Sequence, residues 1–388
     1  MANRFLASCL TAVVLLFSVP NTHSRAETGV SNDKILFGQI AALSGPAEAL
    51  GQGMREGLLA AFGEANRSGG VKGRALELTS IDDGYEPEKT IEATKKILAD
   101  GKIFALVGAV GTPTSAAGQP IATETKVPFI APFTGADFLR NPYKRYVVNI
   151  RSSYFQETEA WIEHLTKDLG ITRIAILYQD DAFGLAGLKG VNLALAKRNM
   201  QLVSSGTFKR NTTAIKTAFL DIQKGQPQAV VTVGPYQPVA AFVKLARAQK
   251  MDAVFVAISF VGSDALAHEL GNQGAGVVVS QVVPFPEDTS LPVVAAYRAA
   301  LPADSKPGFV SLEGYLAGRL IVDALKRIPG EPSREALLDA MSKGPFDLGG
   351  VIYNFTENDN QGSDEVYFTI LQSDGTFRAV SKLVRPSP

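Results

Sequence analysis

The chain has 388 residues, 46% of them apolar, with 38 basic against 38 acidic side chains and a single cysteine, Cys9. That length and balance fit a globular protein large enough for two domains and exclude a strongly basic nucleic-acid binder. Residues 1–26 differ in kind: Arg4 is the only early charge, Phe5 to Val19 is an apolar run, Pro20 breaks it, and Ser24-Arg25-Ala26 offers small residues where a signal peptidase reads. The expectation is a cleaved signal peptide (residues 1–26) with the mature chain starting near Glu27. Its apolar core is too short for a membrane anchor, and no later stretch is long enough to span a bilayer. Leu6-Ala7-Ser8-Cys9 looks like a lipoprotein box but precedes most of the apolar run instead of coming after it, so lipidation is not expected. Cleavage removes Arg4, Arg25 and Cys9 and no acid, leaving 36 basic against 38 acidic residues, a net charge of −2. A chain without thiols has no disulfides to hold it, and His164 and His268 alone make no metal cluster.

Taken in order, Lys34 to Ile40 reads as a strand and Leu50 to Asn66 as a helix that stops at Ser68-Gly69-Gly70. Leu76 to Ile81 is the next strand, closed by Asp82-Asp83-Gly84, and Pro87 opens a helix to Leu98. The short apolar run Phe104 to Val107 breaks into Gly108, Gly111, Thr112, Pro113, Thr114 and Ser115, and a helical pattern then continues to Thr125. A second run, Val127 to Ile130, ends in Ala131-Pro132-Phe133-Thr134-Gly135-Ala136. Glycines admit close approach of backbone to a ligand, and the free N–H groups of a helix start favour an anion. These two turns are therefore either a paired anion site or ordinary capped strand-to-helix connections.

Tyr146 to Ile150 is a further strand. Past Arg151-Ser152-Ser153 the alternation restarts: helix 154–169, strand 173–177, helix 185–198, strand 203–207, helix 214–223, strand 229–233, helix 238–249, strand 253–258, a short helix 264–270 and strand 277–280. Helices come next at 292–300, 309–327 and 333–341, then short extended pieces at 351–355 and 367–371. Strands separated by helices of this length predict mainly parallel sheets covered on both faces, in two similar α/β lobes joined by several crossings.

In such sheets ligands sit beyond the carboxyl ends of strands. The residues at those strand ends are Leu43 to Leu50, Gly111 to Ser115, Phe133 to Ala136, Tyr178 to Phe183, Gly234-Pro235-Tyr236 and Ser259-Phe260, a lining for a small organic molecule with a polar end and an apolar body. Asp180-Asp181 is either a helix N-cap or a ligand-facing pair. Gly51-Gln52-Gly53-Met54-Arg55-Glu56-Gly57 approaches a dinucleotide fingerprint, but its spacing is off by one and a loop separates it from the first strand, so no cofactor is expected. There is no G-x-S-x-G elbow, and a nucleophile–base pair would have to use His164 or His268, both set in helical patterns.

The order of Leu43-Ser44-Gly45-Pro46 with Gly51, Asn66 to Gly73, Asp82-Asp83, Val107-Gly108, Thr112 to Ser115, Pro132 to Ala136, Gly234-Pro235-Tyr236 and Glu313-Gly314-Tyr315 resembles the periplasmic branched-chain amino-acid binding proteins of ABC importers. The likeness covers the chain from about Asp33 to Lys382. It implies the type I periplasmic binding protein fold, two doubly wound lobes joined by three hinge crossings near 150–153, 280–283 and 355–358. Lobe one would take 33–150 plus 283–354, and lobe two 151–282 plus 355–388. It also implies a non-enzymatic, monomeric, periplasmic protein without cofactor, which captures a small carboxylate-bearing ligand, foremost a branched-chain or hydrophobic amino acid, and delivers it to an inner-membrane permease and ATPase complex. A soluble sensor for a membrane receptor is the alternative use of the same fold.

By the resemblance, Thr112 and the backbone and hydroxyl near Phe133, Thr134 and Gly135 hold the ligand carboxylate; the helix start by itself offers the Thr114 hydroxyl as an extra donor. Leu50 and Phe133 form its side-chain pocket, Phe183 and Tyr236 close over it from the other lobe, and Tyr154 is a further candidate; Phe260, from the strand-end lining, adds a ring suited to an aromatic or aliphatic acid. The family's ammonium-pairing carboxylate falls on Ser259, which cannot neutralise a cation. Either Asp180, Asp181 or Glu157 supplies the charge, or the ligand is an aromatic or aliphatic organic acid lacking an amine. Gly111 stands where one cysteine of the family's lobe-one disulfide often lies.

Overall fold

The computed structural model describes residues 27–384; the expected signal peptide lies outside the described residues. A first sheet has the order β2-β1-β3-β4-β5, built from β1 (Lys34–Ala41), β2 (Ala75–Asp82), β3 (Ala105–Val107), β4 (Phe129–Ile130) and β5 (Val147–Val148), and every adjacent pair is parallel. Its connecting helices are α1 (Glu48–Arg67), α2 (Pro87–Ala99) and α3 (Thr112–Glu124). Pro87 at the first turn of α2 costs no hydrogen bond, and Thr90, Ala93, Thr94 and Ile97 give the helix one buried stripe.

The second sheet has seven strands. Its parallel part is β6 (Ile174–Gln179), β7 (Ser204–Phe208), β8 (Ala229–Val233), β9 (Val254–Ala257) and β10 (Val278–Gln281), and β13 (Tyr367–Leu371) and β14 (Phe377–Val380) extend it antiparallel beyond β10. Central β8 is buried at all five positions, as an Ala-Val-Val-Thr-Val run covered by helices on both faces demands. Around this sheet lie α4 (Tyr154–Lys167), α5 (Ala182–Ala196), α6 (Lys216–Lys224), α7 (Tyr236–Ala248) and α8 (Ser263–Leu270). The helices α9 (Pro292–Ala300), α10 (Phe309–Arg327) and α11 (Arg334–Met341) return to the first sheet, where α10 packs on α1. The seam is close because Gly57 and Gly314 carry no side chain: a Cβ on Gly314 would overlap the backbone of Met54.

The sequence pattern places nearly all of these elements, with three differences. Extended residues 351–355 reduce to β12 (Ile352–Tyr353), which pairs only with β11 (Phe346–Asp347) in a separate two-stranded ribbon. Strand β14 has no pattern of its own, since its four residues are half-buried or exposed at the sheet edge. Helices α5 and α7 begin earlier than expected, so Phe183 and Tyr236 sit in first helical turns instead of loops. For α5 the cause is Asp181, whose carboxylate accepts a hydrogen bond from the Phe183 amide at 2.9 Å and caps the helix. The near-fingerprint glycines Gly51, Gly53 and Gly57 all lie within α1.

Candidate functional site

The carboxyl ends of β3 and β4 face those of β6, β8 and β9 across the cleft between the sheets, and the side chains just beyond these strands meet there. On the first lobe, Gly111 caps α3 with φ 107°, and a Cβ there would overlap the Tyr85 ring. Thr112, next in line, shares a hydrogen bond of 2.7 Å with Thr134 from the turn after β4, and Thr134 lies 3.3 Å from the Tyr154 hydroxyl. Thr114 donates to the Val110 carbonyl just ahead of its helix, so its hydroxyl is already engaged. The buried Ser115 hydroxyl has no partner among the described residues. Gly135 accepts the Tyr154 amide at 2.7 Å, and a Cβ on it would stand 2.6 Å from the Tyr154 ring. The turn after β4 is thereby fastened to the start of α4.

Five aromatic rings fill the middle of the cleft, all at most 1% exposed. Phe260, on a 3-10 turn after β9, reaches across from the second lobe: its ring centroid lies 4.6 Å from Phe183, 5.4 Å from Phe133 and 6.0 Å from Tyr85. Tyr154 stacks on Phe183 at 5.4 Å. Offset and tilted pairs of this kind contribute about 0.5–1.5 kcal/mol each beyond area burial. At the rim, Leu50 packs against Gly262, and the Ala49 amide donates to the Tyr236 hydroxyl at 3.5 Å. On another side Arg210 joins the lobes, with Nη2 2.8 Å from Glu86 and Nη1 3.0 Å from Asp181, and Gln179 donates to the Tyr85 hydroxyl at 3.3 Å. Asp181 is thus committed to Arg210, Gln179 and the α5 cap, while Asp180 is exposed.

Behind the rings lies a buried charge cluster at the crossing after β5. Glu157 on α4 is fully buried and accepts three hydrogen bonds, from the Ser259 amide at 3.0 Å, the Ser259 hydroxyl at 2.8 Å and the Ser280 hydroxyl at 2.6 Å. Burial raises its pKa against the opposing pull of Arg151. The Arg151 guanidinium lies 4.5 Å from the Phe133 ring centroid, donates to the same Ser259 oxygen and faces Glu313 of α10 at 3.6 Å. Burial, partly offset by Arg151, pushes Glu313 up to about 7. Arg140 completes the cluster, donating to the carbonyls of Ala136 and Arg151 at 2.9 Å each.

Of the residues singled out from sequence, Thr112, Phe133, Thr134, Gly135, Tyr154, Phe183, Ser259 and Phe260 converge. Leu50 and Tyr236 stand at the rim, and Thr114 and Asp181 are engaged locally. Tyr85, Arg151 and Glu313 belong to the same constellation and were not among the candidates. Tyr85 comes directly after Asp82-Asp83-Gly84, a strand end like the others, and could have been found there. Arg151 carries no motif; only its position directly after a strand hints at it. His164 bonds Asp168 at 2.6 Å and stacks on Phe368, and His268 is exposed, so neither histidine enters the cleft.

Residues 34–376 match the family model of the periplasmic binding proteins. The Leu/Ile/Val-binding protein BraC3 of Rhizobium johnstonii is 24% identical over 89% of this chain and 94% of its own length. The crystal structure of a possible leucine/isoleucine/valine-binding protein from Rhodopirellula baltica superposes with a TM-score of 0.86 at 36% identity, covering 92% of this chain and 98% of that one. A solute-binding protein of an R. palustris ABC transporter, crystallised with benzoate, shares the fold at 20% identity and a TM-score of 0.80, over 89% of this chain and 95% of its own. Two α/β lobes with their strand ends turned to one cleft, and a match across the described chain, make this protein a member of the periplasmic binding protein family, a non-enzymatic solute-binding protein of the ABC-transporter type related to the branched-chain amino-acid binders.

Proposed function

We propose that this chain captures a small organic acid lacking an α-amino group, with an aromatic or branched aliphatic body, and hands it to an inner-membrane permease. Lobes 33–150 plus 283–354 and 151–282 plus 355–388 swing about crossings near 150–153, 280–283 and 355–358, and the closed monomer is what the permease recognises. The observation that carries the ligand class is the fate of the carboxylates around Ser259. Glu157 is consumed by three donors and sits behind Ser259, Asp181 is held by Arg210, and Asp180 is exposed. These three are therefore unavailable to an ammonium ion, and the remaining buried carboxylate of the cluster, Glu313, faces the Arg151 guanidinium. Burying an unpaired ammonium beside that guanidinium would cost several kcal/mol. Support for an apolar body comes from Phe133, Phe183 and Phe260.

The test is a thermal-shift screen of purified protein, unfolded and refolded to strip carried-over solute. Leucine, isoleucine, valine and phenylalanine are compared with benzoate, hexanoate and their homologues. At about a hundred times its Kd a ligand adds about 2.7 kcal/mol, a rise of several degrees. Stabilisation by amine-free acids alone is expected; stabilisation by the amino acids alone would reject the ligand class and return the site to the family's usual solutes.

A further inference from the structure

Arg151 is bonded unlike its neighbour Arg140. All three terminal nitrogens of Arg140 have acceptors: Gln361 at 2.5 Å and the Ala136 and Arg151 carbonyls at 2.9 Å. Arg151 is as deeply buried, with its side chain 1% exposed, yet only Nη2 is bonded, to Ser259. Its Nε and Nη1 hydrogens have no partner among the described residues. Opposite them Glu313 Oε1 is also unpartnered, 3.6 Å from Nε and too far for a hydrogen bond. Buried donors of a charged group are costly to leave unmade, and the planar fork of a guanidinium is shaped for a carboxylate. The same guanidinium borders Phe133, in the middle of the ring cluster.

We infer that Arg151 is the ligand's carboxylate receptor: its free Nε and Nη1 hydrogens hold the acid group at the hinge end of the cleft, the apolar body lies along Phe133, Phe183 and Phe260, and Glu313 takes up a proton as the anion enters. This rests on the reading of the ligand as an amine-free acid. The donors at the start of α3 are a weaker claimant, because Thr112 and Thr134 already satisfy each other and Thr114 is bonded to the Val110 carbonyl. The groups that face Glu313 are Arg151, Arg140, Glu157 and Tyr353. Glu313 titrates near neutrality in the free protein, so an added anion beside it favours its neutral form. Binding therefore weakens as the pH rises above 7.

The experiment is titration calorimetry on refolded protein with two matched pairs of probes, benzoate with benzamide and hexanoate with hexanamide. The wild type is expected to prefer the acid of a pair by about 100-fold. Arg151→Gln is expected to weaken the acid about 100-fold and to leave acid and amide equal, with Arg151→Lys intermediate. A variant that folds and keeps the wild-type acid-to-amide ratio overturns the inference while leaving the ligand class standing. A panel in which no amine-free acid binds overturns both. Should Arg151→Gln not fold, the wild type and Glu313→Gln decide: benzoate binding at pH 7.5, measured in phosphate and in Tris, is expected to take up a fraction of a proton in the wild type and none in Glu313→Gln. No uptake in the wild type, or equal uptake in both, overturns the inference.

Discussion

At Gly111 two demands meet in one residue. Its φ of 107° lies where side chains are strained, and the space a Cβ would need is taken by the Tyr85 ring. Gly111→Ala is therefore expected to cost about 2–4 kcal/mol, the sum of backbone strain and displacement of a buried ring, read as a lower urea midpoint. It is also expected to weaken ligand binding, because Tyr85 stacks on Phe260. The hydroxyls beside Gly111 were legible in the sequence, since Thr112 and Thr134 lie just past strand ends. Arg151 was not. An arginine after a strand ordinarily faces water, and its burial is set by Phe133, Ser259 and Glu313, which lie in different elements along the chain.

The turn from β2 to α2 is the element that presents Tyr85, which it holds at φ 62°. Asp83, wholly buried, builds this turn by accepting from the Tyr85 amide at 2.9 Å and the Thr90 hydroxyl at 2.8 Å. Burial outweighs those donors and pushes Asp83 up to about 6 from an ordinary 3.8. With the folded value above the unfolded one, the folded chain keeps this proton through a range where the unfolded chain has lost it. The associated stability is fully present below pH 3.8 and is lost as the pH rises through about 6. Asp83→Asn has no charge to bury. Its stability relative to wild type is expected to improve between pH 4 and pH 8 by up to about 3 kcal/mol, measured as urea midpoints across that range. At this scale the pattern of strands and helices was readable, because each helix shows its buried stripe and each central strand its apolar run. The exceptions, β11, β12 and β14, are short pieces whose pairing comes from partners elsewhere in the chain.

For the molecule as a whole, one apolar cluster crosses the cleft: Ala41, Leu50, Met54, Tyr85, Val110 and Phe133 of the first lobe pack in the same core as Tyr154, Phe183 and Phe260 of the second. Trp161, the only tryptophan, is buried in the second lobe on α4. Its fluorescence tracks that lobe alone, whereas far-ultraviolet dichroism tracks both. With a shared core the two denaturation curves are expected to coincide; separated midpoints would mean that the lobes unfold independently.

The sequence by itself determined the alternating α/β architecture, the family and most of the cleft lining, because periodicity, turn residues and strand ends are local properties of the chain. It also raised the expectation that Ser259 replaces a carboxylate of the amino-acid binders, and left open whether Asp180, Asp181 or Glu157 is free to supply a charge. Only the tertiary structure decided that Asp181 belongs to Arg210, that Glu157 belongs to Ser259 and Ser280, and that Arg151 keeps free donors in the interior. Which charges are spent depends on distances between residues far apart along the chain, and on how far burial strengthens each pairing, neither of which is written in any local pattern.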